Sequence, residues 1–398
     1  MTTRLTPAQL NDVPTVRSLR ESAPVHHVDL GRGGAEWLLT GYEAAVTGFS
    51  DQRLMGDGGQ AGNPIEEAEK AGRVIFEEDL VDLSGEDHQR LRRMISRQLT
   101  PRRVAALEPR IRRIADELLD AIEPAESVDF VAAFARPLPI RTLCALIGAP
   151  DADRAYVQAY VSGRIAALPE RPEAMTPGPD MTSPETAAML AHLAALIAER
   201  RREPADDLVS GMIRQADREG LPEPYLVAGL RLTLVAGHRA VTALLANGLA
   251  LLLSEPGLWR RLVERPEMVG DAVEELLRYV TPIALSVPRH TTAAVRVCGA
   301  ELPGRAVVRC AWGAANRDPA RFAEPDAFDP ERPGNAHLAF GYGHHFCLGA
   351  ALARAELRLA LTRLLARFPR MRLAEEELEY RSGDLREPKK LRVLPEPG

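Results

Sequence analysis

Apolar residues recur at three-to-four spacing through six long stretches of the chain: 86–99, 105–122, 185–202, 224–253, 268–280 and 349–368. That period puts them on one side of an α-helix. In the last stretch Leu357, Leu361, Leu364 and Phe368 share a face, and Arg354, Arg358, Arg363 and Arg367 fall largely on another. Strand-like patterns are few and short: Glu36–Thr40, Val295–Val297, Ala306–Cys310 and Leu391–Leu394. Helices with minor sheets predict a mainly α fold with a small β part. The Pro-rich stretch Pro169–Pro184 lies between two helical patterns and reads as a surface loop, either a lid or a plain connector.

The run 232–253 is nearly apolar, but His238, Arg239 and Asn247 interrupt it. It therefore reads as a buried helix and not as a membrane span. The opening MTTRLTPAQL has no apolar signal core, so a cytoplasmic location is the simplest expectation. With 398 residues and 45% hydrophobic content, the chain can bury a large core without disulfide staples. Lys+Arg number 50 against 56 Asp+Glu, and a net charge of -6 argues against a dedicated nucleic-acid binder. The four cysteines, Cys144, Cys298, Cys310 and Cys347, form no CxxC pair and so no evident zinc site.

The densest chemistry lies in Phe340-Gly341-Tyr342-Gly343-His344-His345-Phe346-Cys347-Leu348-Gly349. Three glycines flank one cysteine just before an amphipathic helix. Glycine permits unusual dihedrals and a close backbone approach to a bulky, flat partner. A cysteine at a helix N-terminus meets free N–H groups and a dipole that favour the thiolate. A thiolate in a Gly-rich loop under an apolar ceiling suits a haem-iron ligand. By this reading Cys144, Cys298 and Cys310 are packing residues.

This run resembles FGxGxHxCxG, the haem-binding signature of cytochrome P450 enzymes, and AALARAEL at 350–357 looks like bacterial, actinomycete-type members. Glu275-Leu276-Leu277-Arg278 matches the family's ExxR, and Ala315-Asn316-Arg317-Asp318-Pro319 intervenes. The resemblance spans nearly the whole chain. It implies one haem-enclosing domain over 1–398, with residues 1–15 flexible, where length alone suggests two or three domains. It also implies haem b with Cys347 as iron ligand. Glu275 and Arg278 would lock the fold. His88, Arg92, Arg289 and His345 would bind the propionates, and Phe340, Gly341, Gly349, Ala236 and Gly237 would line the haem.

On the distal helix the family usually reads Ala-Gly-x-(Asp/Glu)-Thr. Here Ala236 and Gly237 fit, but Arg239 holds the acid position and Ala240 the alcohol position. Arginine cannot release a proton near neutrality, and alanine has no hydroxyl. Thr242 sits about 200° further round the helix. Three readings remain open: the substrate helps order the proton-supplying water; the enzyme uses peroxide; or the protein is a noncatalytic haem-binding helper. Intact Cys347 and ExxR weigh against the last. Similar departures occur in members that couple rings oxidatively, including indole-bearing cyclic dipeptides. Arg239 would then be a substrate contact or, on the bland reading, an ion-paired helix residue.

The expected pocket walls are 55–84, 155–190, Leu234–Val241, Pro282–Val287 and Ser382–Glu387. Val235, Ile283, Leu285, Ser286 and Val287 are candidate contacts to a mostly hydrophobic small molecule. No flavin or iron–sulfur motif is present, so electrons from NAD(P)H would arrive through a separate ferredoxin and ferredoxin reductase. Arg90, Arg92, Arg93, Arg97, Arg102, Arg103, Arg110, Arg112 and Arg113, with the arginines of 349–368, form a candidate docking face for an acidic ferredoxin. No membrane or nucleic-acid partner is expected.

Overall fold

A computed structural model describes residues 3–6, 9–31, 34–55, 83, 85–122, 127–149, 157–158, 184–375, 378–381 and 385–396. Helices dominate, and the sheets are small. The six predicted helical stretches appear as Gly85–Ser96, Pro101–Asp120, Pro184–Arg202, Glu223–Ser254, Val269–Val280 and Ala350–Arg367. Further helices occupy Val13–Ser22, Tyr42–Ser50, Pro137–Ile147, Leu208–Glu219 and Pro256–Glu264. Their ends follow local chemistry. Thr100 caps Pro101–Asp120 by accepting from the Arg103 N–H. Asp207 caps Leu208–Glu219 through Ser210. Such caps satisfy N–H groups that the first turn leaves without partners.

The helix Glu223–Ser254 is buried on most sides and threads the middle of the molecule. At 32 residues it is about 48 Å long. By length and composition alone it could cross a bilayer, but 67% of its most apolar window is buried in the fold. It packs on Pro137–Ile147, which packs on Pro101–Asp120, which lies along Ala350–Arg367. These four helices carry much of the main core, including Leu244, Leu143, Ile114 and Leu361.

The largest sheet runs β1 (Thr3–Arg4), β2 (Val25–Asp29), β3 (Ala35–Leu39), β6 (Val307–Cys310), β5 (Arg289–Thr291), β4 (Leu54–Met55). Here β2 and β3 are antiparallel with Val25 opposite Leu39, β3 and β6 are parallel, and β5 returns antiparallel so that Arg289 faces Val308. This register brings Arg289, only 2% exposed, to the wall of the central cavity.

Two expectations need correction. The start of the chain is not simply loose: Thr3–Arg4 pairs with Val28–Asp29, and a helix capped by Asp12 begins at Val13. Nor is Cys298 a packing residue. It is exposed, in the Cys298–Gly299 turn between Val295–Val297 and Ala300–Leu302, with φ of 45° followed by 86°. A two-residue hairpin turn needs left-handed dihedrals, and they aim the thiol outward.

Candidate active site

The cysteine loop is held by its own backbone. Gly341 and Gly343 have φ of 73° and 72°, and a Cβ on Gly343 would stand 2.2 Å from the Phe49 carbonyl oxygen. Only glycine fits there. The Cys347 N–H donates to the Phe340 carbonyl at 2.9 Å, closing the loop before Ala350–Arg367 begins. Cys347 is exposed to the cavity it lines, with protein packed densely around the sulfur. Burial pushes its thiol pKa up. The Gly349 N–H and the charges of Arg92 and Arg354 pull down without reversing this. The helix N-terminus does not by itself secure the thiolate expected from the sequence, because burial outweighs it. A thiolate at this depth needs a cation in contact, as a metal ligand has.

Above Cys347 is a slot with two lobes, about 390 Å³ and about 290 Å³. Both lobes share Cys347, Gly349 and Leu352 on one side and Ala236 and Gly237 of the long helix on the other. A space of this size between a sulfur and a small-residue helix face suits a planar macrocycle. Gly237 also serves packing, since a Cβ there would meet Leu143 Cδ2 at 2.9 Å.

Basic groups gather at the slot's edge. The His88 and His345 rings lie 4.1 Å apart between centroids, Arg289 and Arg92 adjoin them, and Arg92 Nη2 donates to the Phe346 carbonyl at 2.7 Å. Burial, then the charges of Arg92 and Arg289, lowers the His88 pKa to about 4. Burial, then Arg289, lowers that of His345 to about 2. No acid figures among these influences. The cluster is electrostatically suited to anions, and a macrocycle with two carboxylates meets that demand.

Glu275 and Arg278 are both fully buried. Arg278 Nη2 and Nε donate to the Glu275 carboxylate at 2.7 and 2.8 Å. Arg278 also donates to the carbonyls of Asn316, Pro325 and Ala327. Glu275 additionally accepts from the Asp329 N–H, Arg332 Nε and Asn335 Nδ2 at 2.9, 3.1 and 3.0 Å. The pair thus ties one helix to the loop that leads toward the cysteine.

The distal wall is bare of relay chemistry. Ala240 lines the slot. Arg239 Nε stands 3.6 Å from Glu387 Oε2, beside Arg136 and Arg381, and Arg239 is not among the cavity-lining residues. Thr242 is buried on the face away from the slot, so it is no candidate donor to it. Val235 also turns away, into the main core; Leu232, Thr233, Ala236 and Gly237 line the cavity instead. Ile283, Leu285, Ser286 and Val287 do line it, with Ile283 and Val287 the exposed members. Ser286 spends its hydroxyl on backbone, donating to Val287 O and accepting from Cys310 N–H. The wall from Pro282 is braced by the Arg386 N–H on Pro282 O, and Leu385 bridges Ile283. Most of 55–84, most of 155–183 and all of 382–384 lie outside the described residues.

Residue spacing missed Glu356, a wholly buried acid on the slot wall. Its signal was an acid between Leu352 and Ala360 on an apolar helical stripe. The proposed arginine face is largely neutralised. Arg358, Arg363 and Arg367 pair with Glu108, Asp116 and Asp120; Arg354 pairs with Glu274, and Arg93 with Glu219. Arg102, Arg112 and Arg113 stand exposed.

A family model described as cytochrome P450 matches residues 185–390. The chain is 38% identical over 367 residues to cytochrome P450 107B1 of Saccharopolyspora erythraea, covering 90% of this chain and 88% of that protein. It is 35% identical over 384 residues to mycinamicin IV hydroxylase/epoxidase of Micromonospora griseorubida, covering 94% of each. Its fold is similar to that of CxnD, a cytochrome P450 for C–S bond formation in chuangxinmycin biosynthesis, with a TM-score of 0.85 at 29% identity over 100% of this chain and 98% of that one. The chain belongs to the cytochrome P450 family, of the bacterial actinomycete type. It is a P450 monooxygenase of secondary metabolism, in a haem-thiolate family.

Proposed function

We propose that the slot binds haem b with Cys347 as the iron ligand, and that the chain oxidises a mostly hydrophobic small molecule. The arrangement of Cys347 beneath Ala236 and Gly237, with His88, Arg92, Arg289 and His345 at the edge, carries the assignment. When bound, the haem supplies one-electron and dioxygen chemistry. His88, Arg92, Arg289 and His345 hold its carboxylates. The Gly349 N–H points at the sulfur and restrains its basicity. Ala240 leaves room above the haem face. Ile283 and Val287 present apolar surface that positions substrate and excludes bulk water.

The product is a monooxygenated molecule or one with a new bond made by oxidative coupling, as of indole-bearing cyclic dipeptides; bond formation by the structurally similar CxnD supports including the second. Substrate groups near Ala240 order water that Arg239 and Ala240 cannot. NAD(P)H provides electrons through a separate ferredoxin and its reductase in the cytoplasm, the ferredoxin meeting the remaining exposed arginines. A ligand screen by haem spectral shift, followed by turnover with ferredoxin and NADPH or with peroxide, tests this. Ferredoxin-dependent turnover of a tight apolar ligand is expected. Turnover with peroxide alone would overturn the electron-transfer part.

A further inference from the structure

Arg354 lies about one turn into Ala350–Arg367, the helix that follows the cysteine loop. Sequence spacing sets it on the arginine face, but its side chain folds back onto the loop. Its guanidinium sits over the Phe340 ring, 4.5 Å from the centroid. That ring lines the slot, the Phe340 carbonyl holds the Cys347 N–H, and the Phe346 ring meets it edge-on at 6.2 Å. A cation over an aromatic face is attracted by the ring quadrupole, and a planar guanidinium stacks there better than an ammonium.

The guanidinium is clamped from behind. Arg354 Nε and Nη2 donate to Glu274 Oε1 and Oε2 at 2.7 and 2.9 Å. His337, its side chain 2% exposed, meets Glu274 Oε2 at 3.2 Å through Nε2. The Ala339 N–H donates to His337 Nδ1, so Nε2 carries the proton given to Glu274. Burial pushes the Glu274 pKa up, but His337 and Arg354 outweigh it and bring it down to about 2. Glu274 directly precedes Glu275, whose buried pair with Arg278 fixes that helix. An ordinary surface ion pair swings in solvent; here the acid is fixed by its helix and His337, and the cation by Phe340. Among the charges felt at the Cys347 sulfur are the cations Arg92 and Arg354, and Glu274 is not one of them. Arg92 faces the slot, where haem carboxylates would neutralise it. Arg354 lines neither lobe, so its charge stays directed at the loop. A fixed cation beside a thiolate ligand draws electron density from the sulfur and favours the state with the extra electron.

We propose that Arg354 is a positioning residue for the Cys347 ligand: held by Glu274, it steadies Phe340 and the cysteine loop and raises the reduction potential of the haem-loaded protein. This rests on the haem-enzyme reading above. The one electron involved comes from the external reductant, and Arg354 sets how readily it is accepted. Its duty is electron uptake at the sulfur, and not the partner docking that its place among the helix arginines suggests.

The test is a spectroelectrochemical titration of haem-loaded wild type, Arg354→Met, Arg354→Lys and Glu274→Gln, with haem loss to excess apomyoglobin timed alongside. Arg354→Met should lower the potential by at least about 28 mV, about a threefold change in the one-electron equilibrium at about 59 mV per tenfold. It should also lose haem faster than wild type. Arg354→Lys keeps the charge and should recover most of the potential. Glu274→Gln removes the counter-ion and should raise the potential. Mere loosening of the loop would move Arg354→Met and Glu274→Gln to the same side, whereas the charge moves them to opposite sides. Shifts of the same sign, or a wild-type potential in Arg354→Met, overturn the proposal. The reduced carbon monoxide spectrum separates this from the parent reading: a wild type without the thiolate band overturns the haem site itself, and a normal band with an unmoved potential overturns only the role of Arg354.

Discussion

Replacing Glu275 with alanine removes the acceptor for five donor groups at once: two nitrogens of Arg278, Arg332 Nε, Asn335 Nδ2 and the Asp329 N–H. Arg278 keeps its three carbonyl acceptors but is left as an uncompensated charge at 0% exposure. Breaking one side of a buried pair costs about 3–5 kcal/mol, a large share of the roughly 5–15 kcal/mol that typically holds a domain together. Urea unfolding of haem-loaded protein, followed by far-ultraviolet circular dichroism, should show that loss. Glu275→Met/Arg278→Met should recover only part of it, because the carbonyls of Asn316, Pro325 and Ala327 then lose their donor. The pH dependence adds a sign. Burial pushes the Glu275 pKa up, but the hydrogen bonds and charge of Arg278, with the Asp329 N–H, win and hold it below the usual value. Its stabilisation is therefore present above the unfolded pKa, about 4.5, and lost as pH falls through the depressed folded value. A Glu275→Ala protein within about 1 kcal/mol of wild type would refute the view that this pair locks the fold.

Gly343→Ala should destabilise by more than about 2 kcal/mol and shed haem, read by thermal unfolding and haem retention, since the new Cβ meets the backbone of Phe49 at a left-handed residue. Glu356 contributes in the opposite pH sense to Glu275. Its pKa rises from 4.5 to about 8 on folding, so up to about 5 kcal/mol of stability is lost as pH climbs through that window. Glu356→Gln should flatten the unfolding midpoint between those values, and an unchanged slope would contradict the neutral buried acid. Arg239→Ala removes one of three cations facing Glu387 and should cost about 1 kcal/mol in thermal stability. Spectral-shift affinities should hold; a marked fall would restore Arg239 as a substrate contact.

Long apolar periods were readable because each large helix buries a continuous stripe. The stretches 224–253 and 185–202 differ by one residue or none at each end from Glu223–Ser254 and Pro184–Arg202. Short helices escaped: Pro256–Glu264 offers too few turns for a period to stand out, and Leu208–Glu219 is marked mainly by Asp207 and the left-handed Gly220 at its ends. The cysteine loop was legible as local chemistry, a cysteine set among glycines. Gathering His88, Arg289 and His345 around it required the family pattern, because helix, strand and loop bring them together from far apart in sequence. Helical angle already set Thr242 apart from Ala240. What spacing could not reveal was neutralisation: the arginines of 349–368 read as a free basic face until Glu108, Asp116 and Asp120 lay opposite. Glu356 shows the same limit in reverse, since only tertiary packing reveals that an acid in a charged helix has no cation.

The central claim is that the Cys347 sulfur is the haem-iron ligand. The direct measurement is the carbon monoxide difference spectrum of the reduced, haem-loaded protein beside that of Cys347→Ser. The thiolate-type band is expected in the wild type and absent from Cys347→Ser, with the circular dichroism of the two proteins alike. A wild type without that band, or a serine variant that keeps it, would contradict the account.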